Sequence, residues 1–250
     1  MTRSPHRTLH WAIRVTGALA LAGVATLVWM ALVVAPPDAV QGDAQRLMYL
    51  HVPAAWLAYL AYFVTAVASA LYLIPKTRSL RWDALAGSSA EIGVVFTALT
   101  IVNGSLWARP VWGIWWTWDA RLVTTAVLFF LYLGYLALRR VPGAAQVRAR
   151  RSAIVAIIAF ADVPVVHLSV IWWRTLHQQP TVLNPELNPQ IHGVMLATLL
   201  VGVTAFTVVY VHLLLRRYAL ARAENRREEL LLEWAVSGDD VEADRMAVLP

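Results

Sequence analysis

Residues 51–74 read HVPAAWLAYLAYFVTAVASALYLI, without one acidic or strongly basic side chain. A helix of that length reaches about 36 Å, enough to cross the roughly 30 Å hydrocarbon core of a bilayer. Inside lipid every backbone polar group must find its partner internally, so a spanning segment of this length is read as a helix. Outward from it lie five more apolar blocks, at about 15–35, 84–107, 121–138, 152–172 and 191–213. The 250-residue chain is 59% hydrophobic and only 14% charged, with mean hydropathy +0.58. Soluble domains carry about 25% charged residues, so this balance excludes an ordinary soluble enzyme and a disordered chain alike. The expected fold is all-α: a polytopic membrane protein of six transmembrane helices. Residues 1–215 read as the membrane domain, and 216–250 as a C-terminal helix with an acidic tail.

Lys and Arg give the orientation. The N-terminus, the second and fourth connections and the C-terminal tail together hold 17 of the 21; Arg46, Arg109, Arg121 and Arg174 fall on the other side. Basic residues collect in cytoplasmic segments, so both termini are expected in the cytoplasm and the other face outside. The apolar run at 15–35 is longer than the core of a signal peptide and reads as an anchor. The formal charge of +6 is then a topology signal rather than a nucleic-acid footprint. The absence of cysteine excludes disulfides, thiolate metal sites and thiol catalysis.

Polar chemistry collects on the outer side. Segment 108–120 reads ARPVWGIWWTWDA, and five of the chain's 12 Trp lie between Trp107 and Trp118. An ordinary aromatic belt scatters Trp over both interfaces. If 112–119 is helical, Trp112, Trp115, Trp116 and Asp119 share an arc of about 100°, a flat indole platform lying on the membrane. The plainer reading is an interfacial anchor with Asp119 capping the helix that follows. Four of the seven histidines, His51, His167, His177 and His192, also fall on the outer side. A histidine in or beside a membrane is a functional candidate, although any one of them alone suits a structural role. Spacing does not select a pair. His51 opens its span with Pro53 in the first turn, and His177 follows Trp172 and Trp173 in the longest outer connection, which contains Pro180, Pro185 and Pro189.

Two neutral imidazoles facing across an aromatic slot would hold a metalloporphyrin, with indole faces over the macrocycle and an Arg on its propionates. Arg46, Arg109, Arg121 and Arg174 are the candidates for that pairing; Arg121, at the start of a span, reads as a snorkelling cation. Glu91 and Asp162, the two acids within spans, read as packing or partner contacts. No phosphate-binding loop, zinc motif or Ser-His-Asp arrangement is present, and no residue is an evident acid, base or nucleophile. Two other readings stand beside haem holding. A b-type cytochrome passing electrons from quinol would need ligand histidines at both depths, and a haem transporter would need a polar path across the bilayer.

Trp112, Gly113, Trp116, Trp118 and Asp119 spell WGxxWxWD, the signature of the haem-handling proteins of cytochrome c assembly. Over nearly its whole length the chain resembles the haem exporter protein C family of bacterial system I cytochrome c maturation. Tyr49-Leu50-His51-Val52-Pro53 and Trp172-Trp173-Arg174-Thr175-Leu176-His177 look like that family's two histidine segments. Next to Asp162, Val163 stands where the resemblance would place a polar residue. The resemblance implies that His51 and His177 are axial ligands of haem b at the periplasmic face of the inner membrane. It implies that Trp112, Gly113, Trp115, Trp116, Trp118 and Asp119 form the platform. It implies as partners a membrane-anchored periplasmic haem chaperone, on which haem becomes covalently attached, the subunits of an ATP-binding cassette transporter, and a small single-span subunit. The chain would act by delivery more than by catalysis, and ATP use by the transporter would release the loaded chaperone.

Overall fold

The computed structural model describes residues 5–178 and 191–247. Pro180, Pro185 and Pro189 lie outside the described residues, as do the side chains of Asp239, Asp240, Glu242 and Asp244. Among the described residues there is no strand, and six helical bodies are long and apolar enough to cross a membrane. They are α1 (Pro5–Trp29), α2 (Met48–Leu73), α3 (Leu80–Trp112), α4 (Ala120–Arg139), the pair α5 (Ala145–Phe160) and α6 (Asp162–Trp172), and α7 (Gly193–Ala247). The chain is a polytopic membrane protein, and its six-span reading matches the architecture.

Three boundaries differ from the sequence reading. The fifth span is two helices hinged at Ala161, because Pro164 lacks the N–H that would bond the Phe160 carbonyl. Pro53 lies in the second turn of α2, since a 3₁₀ turn over Asp43–Leu47 leads into a helix that starts at Met48. Most importantly, 112–119 is not helical. Trp112 is the last residue of α3, and Gly113 stops the helix in the left-handed region (φ 77°), its N–H donating to the Arg109 carbonyl at 3.1 Å. Gly adopts that conformation without steric cost, which makes it a common helix terminator. Residues 114–119 then run without regular structure to α4, and no flat surface helix forms.

Lipid offers helices no hydrophobic drive to associate, so small residues that permit close approach do the work. α2 and α3 pack most closely. Ala54, Ala58 and Ala61 are buried on one, and Ala86, Ala90 and Gly93 on the other. A Cβ on Gly93 would stand 2.5 Å from the Tyr62 ring. Tyr62 stacks on Tyr132 of α4 at 3.7 Å and shares a 2.8 Å hydrogen bond with Thr97. Tyr132 meets Tyr135 edge-on, and Tyr135 accepts from Arg139 at 3.3 Å. Arg139 closes a two-pronged pair with Asp83, 2.5 and 2.9 Å. Removing one partner from such a buried pair costs about 3–5 kcal/mol. Glu91 is held by Arg217 of α7, so it serves as an interhelix contact, whereas Asp162 keeps a buried oxygen without a partner among the described residues. At 55 residues α7 is about 80 Å long and projects far beyond the bilayer, as a helical extension of the last span.

Candidate functional site

The end of the bundle that carries the α3–α4 connection holds a cavity. Its walls come from α2, α3, α4 and the strap 173–178 that follows α6. His51, in the first full turn of α2, lines it and packs edge-on against Trp107 at 5.7 Å. Trp107 is oriented by its own N–H, which donates to the Gln41 side chain at 3.0 Å. The imidazole lies directly on Gly104 of α3, where a Cβ would stand 2.8 Å from ring carbon Cε1. Its Nδ1 is buried against α3, near the Thr100 backbone.

His177 reaches the same cavity from the strap. Thr175 folds this segment by accepting the His177 N–H at 3.0 Å and donating to the His177 carbonyl at 3.2 Å. Nδ1 lies 3.0 Å from the Gln178 carbonyl. A carbonyl can only accept, so Nδ1 carries the proton and Nε2 keeps its lone pair. Burial pushes the His177 pKa down and the nearby Arg121 charge adds to this, outweighing the Gln178 contact and Asp119. The ring is therefore held neutral, as a metal ligand must be. Its centre is 6.4 Å from that of His51 and 6.4 Å from that of Trp112. Two imidazoles bound on opposite sides of one metal, with metal–nitrogen bonds of about 2.0 Å, have ring centres roughly 6.3 Å apart.

Of the residues singled out in the sequence, His51, His177, Trp112, Trp115 and Trp116 meet at this cavity. Trp116 has a buried N–H without a partner among the described residues. Gly113, Trp118 and Asp119 do not line it. Gly113 ends α3, and Trp118 is 82% exposed, edge-on to Trp116. Asp119 is a two-handed fastener: one oxygen accepts from the Leu122 N–H at 3.0 Å, capping α4, and the other from the Leu176 N–H at 3.3 Å. It thereby ties the Trp-rich segment to the strap bearing His177. His167 of α6 packs edge-on to Tyr59 of α2, and His192 is exposed; neither lines the cavity.

The basic residues sort differently from the sequence reading. Arg121 does not snorkel. It is part-buried, donates to the Val166 and His167 carbonyls of α6 at 3.0 and 3.1 Å, and lines the cavity. Arg46 faces a different groove, Arg109 folds onto the Gly113 carbonyl with its charge over Trp115, and Arg174 is exposed. Gln41, Tyr59, Thr97, Thr100 and Gly104 also line the cavity and carried no signal of their own, because each belongs to it only once α2 and α3 are packed. Among the described residues no group of three or more His, Cys, Asp or Glu could hold a bare metal ion. The chemistry available is therefore two imidazole nitrogens in an indole-walled slot. Gly104 lets the His51 ring lie close against α3, and the separation of the two rings fits a flat metal complex between them.

The chain is also similar to known proteins. The family description Heme exporter protein C matches residues 2–233. Heme exporter protein C of Haemophilus influenzae is 38% identical over 216 residues, 86% of this chain and 85% of the relative. The Bradyrhizobium diazoefficiens protein of the same name is 35% identical over 235 residues, 91% and 87% of the two chains. A putative cytochrome c biosynthesis ccmC-like mitochondrial protein of Arabidopsis thaliana is 36% identical over 176 residues, 70% and 65%. With an indole-walled two-histidine cavity at one end of six spanning helices, and matches that run almost end to end, the chain belongs to the Heme exporter protein C family.

Proposed function

We propose that this protein holds haem b between His51 and His177 at the periplasmic face of the bacterial inner membrane. There it presents haem to a membrane-anchored periplasmic chaperone during cytochrome c maturation. The observation that carries the reading is the pair of imidazoles 6.4 Å apart across a Trp-lined cavity. Family membership supports the haem and the pathway. The excess of Lys and Arg on the far side supports the periplasmic placement.

Bound haem would supply an iron for the two imidazole nitrogens and the macrocycle that the chaperone takes up. The protein's own residues position it. His51 and His177 supply the two nitrogens, and Trp112, Trp115 and Trp116 bury the macrocycle. Arg121, the cation lining this cavity among the described residues, is placed to meet a carboxylate. Trp118, exposed beside Trp116, and exposed Trp172 and Trp173 extend the aromatic surface towards the side from which a chaperone would approach. The transporter subunits and the small single-span subunit of the pathway are the other partners of this reading. An electron-transferring cytochrome is not favoured, because His212, near the other face, is engaged with Thr16 and the Ile13 carbonyl.

The test is an absorption spectrum of detergent-purified protein, oxidised and reduced. The wild type is expected to show a six-coordinate low-spin haem. His51→Ala and His177→Ala should each lose haem or the low-spin bands, while His192→Ala keeps them. A double His51→Ala, His177→Ala variant with an unchanged spectrum overturns the proposal.

A further inference from the structure

α1 packs along α7 and only marginally on the other helices, while α2, α3 and α7 pack on one another. The space left between α1 and its neighbours is an open groove, separate from the histidine cavity. Its walls are apolar, chiefly Val24, Leu27 and Val28 of α1 with Leu50, Phe96 and Phe206 opposite. Along α1 and the π-helical turn that continues it (Met30–Val34) the lining runs from Val24 to Leu32, about 12 Å, close to the roughly 15 Å half-thickness of a bilayer core.

The groove has one charged end, made by Asp43 and Arg46. Arg46 donates through Nε to Asp43 at 2.8 Å and through Nη1 to the Ala31 and Ala35 carbonyls. Its Nη2 has no acceptor among the described residues, and the Asp43 side chain is 79% exposed. Tyr49 lines the same groove, is 1% exposed, and keeps a hydroxyl without a partner among the described residues. An adjacent cation and anion above an apolar slot match a zwitterionic head above an acyl chain. Phosphate meets the guanidinium, a primary ammonium donates to the carboxylate, and an ester oxygen can accept from the tyrosine.

We infer that this groove is a binding site for a phospholipid with a phosphoethanolamine head, drawn from the leaflet on the histidine-cavity side. The lipid props α1 against the bundle and goes beyond the haem reading, on which it does not depend.

The test is native mass spectrometry of the full chain after reconstitution into vesicles of phosphatidylethanolamine, phosphatidylcholine or phosphatidylglycerol and mild detergent extraction. Wild type should retain phosphatidylethanolamine in preference to the other two. Val28→Trp, at a half-exposed lining position, should lower that adduct about tenfold by filling the slot, leaving the haem spectrum intact. Asp43→Asn should remove the head-group preference, and Arg46→Gln should weaken retention of all three lipids, whose phosphate it would meet. Equal retention of all three lipids, an adduct untouched by Val28→Trp, haem in place of lipid in this groove, or a second copy occupying it would each overturn the inference. Loss of the haem spectrum in wild type would count against the histidine site alone.

Discussion

Asp119 shows how much one side chain can carry through contacts within the chain. It stands before an apolar run, where an N-cap is legible from sequence, and it does cap α4. Its second oxygen holds the Leu176 N–H, 57 positions away, and no local pattern could have announced that contact. The cap alone is worth about 1 kcal/mol, a modest loss for the fold. Loss of the strap contact is more specific, because the strap delivers His177 while His51 is fixed in a helix. Asp119→Ala should therefore leave the protein folded but shift bound haem from six-coordinate low-spin towards five-coordinate high-spin, read in the visible spectrum. Asp119→Asn, which keeps the capping oxygen and presents an amide to Leu176, should fall between. An Asp119→Ala spectrum identical to wild type would show that the strap holds His177 without this fastener. The sequence marked four outer histidines and the indoles lining the cavity, since each residue type is conspicuous in a membrane chain, and only the family resemblance singled out His51 and His177. It could not mark Gly104 or assign Arg121, whose roles depend on which helices become neighbours.

At the scale of elements, the Trp-rich segment was legible as a special connection but not as a shape. Its helical period put three Trp and Asp119 on one face, yet Gly113 and the cap at Asp119 impose a stop and a start only a few residues apart. Trp112 reaches the cavity from the end of α3, and Trp115 and Trp116 from the irregular connection that follows. Gly113 has open space around it, so the cost of a side chain there is backbone strain alone. Gly113→Ala should destabilise by about 1–2 kcal/mol, because an L-residue meets its own carbonyl in the left-handed region. Gly134 is the control: it is inside α4, likewise with nothing within 4 Å of an added Cβ, and without positive φ. Gly134→Ala should be neutral or stabilising by up to about 1 kcal/mol, since Ala is the better helix former. Thermal unfolding of the two variants in the same detergent checks the opposite signs. Equal shifts would mean that the turn at residue 113 relaxes and does not hold the connection in shape. The hinge at Ala161 follows the same logic: Pro164 was visible, but an apolar block of 21 residues reads as one span unless the missing N–H is counted.

For the molecule as a whole, number, length and order of spans were legible because bilayer thickness imposes a length that composition records directly. Packing was not, because helix contacts in lipid rest on small residues and on polar pairs from distant spans, such as Asp83 with Arg139 and Glu91 with Arg217. Orientation is a separate matter. Six spans place both termini on one side whichever way the bundle is inserted, and the helices alone do not say which. The charge distribution does: the end bearing His51 and the Trp-rich connection carries four Lys and Arg, the opposite end 17. A chain free of cysteine makes this testable without background labelling. Val40 is 94% exposed beside Gln41, which lines the histidine cavity, and Lys76 is exposed in the α2–α3 turn at the other end. In intact spheroplasts a membrane-impermeant maleimide should modify Val40→Cys and leave Lys76→Cys unreacted. After the membrane is opened, both should react. Labelling of Lys76→Cys alone in intact cells would turn the bundle over, place the two imidazoles on the cytoplasmic side, and remove the physical basis for delivery to a periplasmic acceptor.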